Sequence, residues 1–244
     1  MSRRALIIGA PDSKIPGVKV DVENYRQFLE SPLGGYWHSS KITTLICPSK
    51  AELSEAQEEL ADADYSLVIF AGHGCHSRTD DTTILWLQDE VKIDSVKLRK
   101  GADKHTLIID ACRVLSPELL LDSKRAIIAK SELLLSASEC RKYYKKRISD
   151  CAKGLVVGFS CKINESSQES AVAGGYYSSP LIGAAHSWMN EKRGADLQRD
   201  VFYLSVTDAH DTAAVKVHDL SGGRQNPTSE YPRTTPHFPF AVLA

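Results

Sequence analysis

The chain has 244 residues, of which 42% are hydrophobic and 25% charged, with a formal net charge of -1. Such a chain can bury a substantial core, and its near-neutral charge argues against a nucleic-acid binder that works by bulk electrostatics. No apolar run approaches the ~20 residues that span a bilayer, and MSRRALIIGAPD lacks the apolar region of a signal peptide, so no membrane partner is expected. The six cysteines, Cys47, Cys75, Cys112, Cys140, Cys151 and Cys161, show no C-x-x-C spacing and read as reduced thiols of a cytoplasmic protein.

In chain order, Arg4 to Ala10 predicts a first, central strand closed by Gly9 and Pro11. Asp21 then caps a predicted helix running to Glu30, with Val22, Tyr25, Phe28 and Leu29 at helical spacing. Lys41 to Cys47 is a second strand, and Ser49 opens an amphipathic helix with Glu52 placed for a capping box. Tyr65 to Ala71 has the pattern of a strand buried on both faces, and it breaks into Gly72-His73-Gly74. Thr82 to Leu98 reads as a β-hairpin followed by a short helix or turn.

A second doubly buried run, Thr106 to Ile109, ends in Asp110-Ala111-Cys112. From Ser116 to Lys153 the pattern is helical, with a basic middle at Arg141, Lys142, Lys145, Lys146 and Arg147 that fits a solvated helix face. Gly154 to Cys161 is a fifth strand, followed by the polar loop Lys162 to Ser170. Helices are predicted over Pro180 to Glu191 and Asp200 to His218. GGRQNPTSEYPRTTPH reads as an exposed loop, and Phe238 to Leu243 as a last strand whose Pro239 fits a sheet edge. The pattern describes one α/β domain over residues 1–244.

Residues i and i+2 of a strand share a face, so Asp110 and Cys112 point the same way at a carboxyl end, where open α/β sheets bind ligands. If the two buried strands are neighbours, His73 faces Cys112, which gives a thiol nucleophile a base. Asp110 would then lie on the same face, close to the thiol. A buried carboxylate there favours a guanidinium or ammonium group. The alternative is that Asp110 only ties down neighbouring loop N–H groups. Cys75 and His76 lack the partner spacing of a zinc site and are read as loop residues near the cleft, while Cys161 reads as a small core residue.

A strand ending in GHG followed by a strand ending in DAC resembles the caspase-like cysteine peptidases of family C14, a group that includes metacaspases and bacterial relatives. The likeness extends to RALIIGA, to FLESPLGGYW with KITTL, to FSCKINESSQES and to PHFPFAVL as the closing strand. It implies a three-layer α/β/α sandwich around a mixed six-stranded sheet of order 2-1-3-4-5-6, with the last strand antiparallel. It also implies that Cys112 is the nucleophile, that His73 manages the proton, and that the backbone N–H groups of Gly74 and Cys112 hold the oxyanion.

Metacaspases carry an aspartate where this chain has Asp110 and cut after Arg or Lys. Glu169 resembles a second acidic pocket residue of that branch, although Asn164-Glu165 stand where metacaspases are more acidic. The resemblance implies a protein substrate, no metal or organic cofactor, and control by a partner, a ligand, self-processing or a companion gene product. It also implies a setting in bacterial stress or anti-phage defence. Self-processing would fall at Lys145, Lys146 or Arg147. The competing function is a catalytically silent caspase-like module that acts through protein contacts.

Overall fold

A computed structural model describes residues 1–114, 136–192 and 202–243. The order is β1 (Arg3–Ala10), α1 (Val18–Glu30), β2 (Ile42–Ile46), α2 (Lys50–Ala61), β3 (Tyr65–Gly72), β4 (Gly74–Ser77), β5 (Thr82–Trp86), β6 (Lys92–Asp94) and β7 (Lys104–Asp110). It continues with α3 (Ala137–Asp150), β8 (Gly154–Phe159), β9 (Glu169–Ser170), β10 (Gly174–Gly175), α4 (Ser178–Glu191), β11 (Phe202–Ser205), α5 (Val206–Ser221), β12 (Thr228–Glu230) and β13 (Pro239–Leu243). The first part of the predicted helical stretch Ser116 to Lys153, residues 115–135, lies outside the described residues.

The apolar runs form the middle of a six-stranded sheet of order β12-β8-β7-β3-β1-β2, parallel except for β12. Alternation along each strand divides the core between two faces. Ile7, Leu67, Ile69, Ile108 and Val156 pack under α1, α3, α4 and α5. Leu6, Ile8, Val68, Phe70, Leu107, Ile109 and Val157 pack under α2 and the β5–β6 hairpin. These layers are the three-layer α/β/α sandwich expected, with helices on both sheet faces. Ser49 and Glu52 form the capping box of α2, with Ser49 Oγ accepting from the Glu52 N–H at 3.2 Å.

Three boundaries differ from the sequence reading. The sixth strand is β12, not Phe238 to Leu243. β13 pairs antiparallel with β11 in a separate two-stranded sheet, and every residue of β13 is buried. Full burial of a large apolar side chain contributes about 1.5–3 kcal/mol, so Phe240, Val242 and Leu243 are better placed over the helical layer than on an exposed edge. The polar Thr228, Ser229 and Glu230 suit the edge instead, within a stretch read as loop. The segment read as the start of a helix at Asp200 contains β11, and α5 begins only after Ser205, whose hydroxyl accepts from the Asp208 N–H at 3.1 Å. Finally, α1 starts at Val18, so Asp21 is not its cap but a buried residue of the first turn.

Candidate active site

Parallel pairing of β1, β3, β7 and β8 gathers their carboxyl ends at one sheet edge. β3 lies beside β7, with Ala71 opposite Asp110, so the segments carrying His73 and Cys112 leave neighbouring strands. Gly74 allows their close approach: a Cβ there would lie 2.8 Å from the Cys112 carbonyl oxygen and 2.9 Å from the Ala111 Cβ. The His73 carbonyl accepts from the Trp86 N–H at 3.1 Å, and the His76 N–H donates to the Val114 carbonyl at 3.2 Å, tying the β4 hairpin to the chain after Cys112.

The Cys112 thiol donates to the Ser167 carbonyl at 3.4 Å, and burial pushes its pKa above the ordinary thiol value. The His73 ring is part exposed, and its Nε2 meets Asp12 Oδ2 at 2.9 Å. Asp12 sits on the loop after β1, and nothing in the sequence singled it out. A lone acid two residues past a strand has no periodic signal, and its partner is 61 positions away.

Asp110 is buried, and three groups donate to its carboxylate: Ser167 Oγ at 2.6 Å, Ser178 N at 2.9 Å and Ser178 Oγ at 2.7 Å. The loop bonds allowed for in the sequence reading are thus present. Two further carboxylates share the place. Asp21 reaches in from α1 and accepts the Gly175 N–H at 2.8 and 3.0 Å on its two oxygens. Glu169 on β9 accepts the Gly17 N–H at 3.2 Å, at the start of α1. Burial raises all three pKa values, with repulsion from Asp110 adding to Asp21 and Glu169; Glu169 is pushed up to about 7. Asp21 carries the sequence signature of a helix cap, which hid this placement.

Ser167 joins the two groups of residues, since its carbonyl takes the Cys112 thiol and its hydroxyl serves Asp110. Gln225, fully buried, holds the same loop by donating to Ser167 Oγ at 3.2 Å and accepting the Gln168 N–H at 2.9 Å. Glu165 accepts from the Asn226 backbone at 2.7 Å and its side-chain amide at 2.8 Å, which makes it part of the loop's anchorage.

Cys161 is fully buried, with its pKa pushed by burial to about 12. Cys75 and His76 lie on β4, and His76 meets Asp81 at 3.3 Å. Lys145, Lys146 and Arg147 lie in α3, with Arg147 over the rings of Tyr143 and Tyr203. All six cysteines are free. No helix among the described residues is long and apolar enough to cross a membrane.

Comparison with known proteins agrees with this architecture. A family model, the caspase domain of the C14 peptidases, matches residues 2–238. Curated protein sequences gave no significant match. Among solved structures, the chain is similar to the crystal structure of caspase-1 from Spodoptera frugiperda, with a TM-score of 0.56 and 14% identity over 94% of this chain and 86% of that one. That identity speaks for the fold, and the family match speaks for the lineage: the chain belongs to the caspase-domain family of cysteine peptidases.

Proposed function

We propose that this chain is a cysteine endopeptidase that cuts protein substrates after Arg or Lys. The observation that carries the reading is the convergence of Asp21, Asp110 and Glu169 beside the Ser167 loop that holds the Cys112 thiol. No lysine or arginine side chain among the described residues pairs with any of the three. Three acids gathered without a counter-cation are costly to ionise, and a substrate guanidinium or ammonium supplies the missing charge. A fluorogenic peptide library varied at the residue before the cut tests this. Turnover concentrated on Arg and Lys is expected, and a preference for acidic or apolar residues would overturn it.

In the proposed reaction the Cys112 thiol gives its proton to His73 as the sulfur attacks the scissile carbonyl. The Gly74 and Cys112 N–H groups stabilise the oxyanion, and the carbon–nitrogen bond breaks as His73 returns the proton to the leaving amine. Water then hydrolyses the thioester. No step calls for a metal or organic cofactor. Because Gly74 abuts the Cys112 carbonyl, Gly74→Ala should displace the two strand ends relative to each other and lower kcat/KM by about 10²-fold, read by steady-state kinetics beside a thermal-melt control.

The pocket should also be pH-sensitive. A cation binds the ionised carboxylates best, and Glu169 takes up a proton as pH falls through about 7. Benzamidine, a guanidinium-like probe, should therefore bind more weakly at pH 6 than at pH 8 by calorimetry. Equal affinities would count against Glu169 as a pocket wall.

Self-cleavage after Lys145, Lys146 or Arg147 would require α3 to unwind, since a peptidase works on extended chain. The family likeness supports a stress or anti-phage setting with an activating partner or companion gene product. The six free thiols support a reducing, cytoplasmic compartment.

A further inference from the structure

Asp12 is held before it meets the histidine. Its Oδ1 accepts the backbone N–H groups of Lys14 at 2.7 Å and Ile15 at 2.9 Å, a local turn that leaves Oδ2 pointing at His73 Nε2, 2.9 Å away. We infer that Asp12 is the positioning residue that fixes the tautomer and orientation of the His73 ring; the inference rests on the peptidase reading of Cys112. An ionised carboxylate can only accept, so Nε2 must carry the hydrogen and Nδ1 keeps its lone pair for the thiol proton.

The titratable groups around Asp12 are consistent with that ionised state. Partial burial raises its pKa, but the Lys14 and Ile15 N–H groups and the His73 ring together hold it below the ordinary aspartate value. Asp110 and Asp12 are like charges that raise Glu169 on β9, while Asp110 and Glu169 in turn raise the Cys112 thiol beyond the end of β7. The one ion-pair partner of Asp12 among the described residues is His73. When the ring takes the Cys112 proton on Nδ1, its new positive charge sits against the Asp12 carboxylate. When Nδ1 gives that proton to the departing amine, the neutral ring returns to the same tautomer.

Asp12→Asn separates this role from a merely structural one. The asparagine oxygen can still accept from Lys14 and Ile15, so the turn survives, but its amide now donates to Nε2 and forces the hydrogen onto Nδ1. With Arg peptides, kcat should fall by about 10³-fold while KM changes little. Nitrogen-15 NMR of histidine-labelled protein should show His73 protonated at Nε2 in wild type and at Nδ1 in the variant. Equal thermal midpoints would show the fold intact. A variant with wild-type kcat and an unchanged tautomer would overturn the role of Asp12. If wild type itself turns over no peptide, the peptidase reading fails, and the NMR comparison still decides whether Asp12 sets the ring.

Discussion

Cys112→Ala should remove hydrolysis of Arg and Lys peptides, with kcat/KM falling by about 10⁴-fold or more, to the limit of detection. None of the other thiols is placed to substitute. Cys140, Cys151 and Cys161 are buried, and burial pushes Cys151 to about 11 and Cys161 to about 12, so their thiolates are scarce near neutrality. Cys75 lies on β4 and is likewise raised by burial. Cys47 follows β2, with its thiol donating to the Pro11 carbonyl at 3.7 Å. The alanine also deletes only one thiol hydrogen bond, to Ser167, so the thermal midpoint should be close to that of wild type. Steady-state kinetics on matched preparations decides the matter, and appreciable residual turnover would remove Cys112 from the mechanism.

Asp110→Asn should abolish the preference for basic residues. Deleting one member of a buried, hydrogen-bonded charge pair costs about 2–5 kcal/mol, so kcat/KM for Arg peptides should fall by about 30- to 5,000-fold. The amide oxygen can still accept from Ser167 or Ser178, which makes this variant gentler on the fold than alanine. Peptides with a neutral residue before the cut should lose far less, and iodoacetamide should still alkylate Cys112. Uniform loss across all peptides would instead mean that Asp110 acts only by tying Ser167 and Ser178 in place.

The central strands were readable because each is a continuous apolar run ended by glycine, proline or a small polar cluster; β3 and β7 follow that rule closely. The capping box at Ser49 was likewise local and therefore visible. What escaped was long-range. Phe240 and its neighbours looked like an edge strand because of Pro239, yet their burial against the helical layer decides their place. Thr228 to Glu230 has no strand-like composition, and only pairing with β8 makes it the sixth strand. Asp21 and Gly175 are 154 positions apart, so their hydrogen bonds leave no mark on either segment. His73 and Cys112 were singled out because glycine and small residues mark the ends of their strands, whereas Asp12 and Asp21 resemble ordinary turn and cap residues.

The most direct test of the account is to treat wild-type protein with an arginine acyloxymethyl ketone and map the adduct by peptide mass spectrometry. The account predicts one thioether, at Cys112, formed much faster than with the aspartate analogue and greatly slowed by Asp110→Asn. An adduct at another cysteine, or faster labelling by the aspartate analogue, would contradict it.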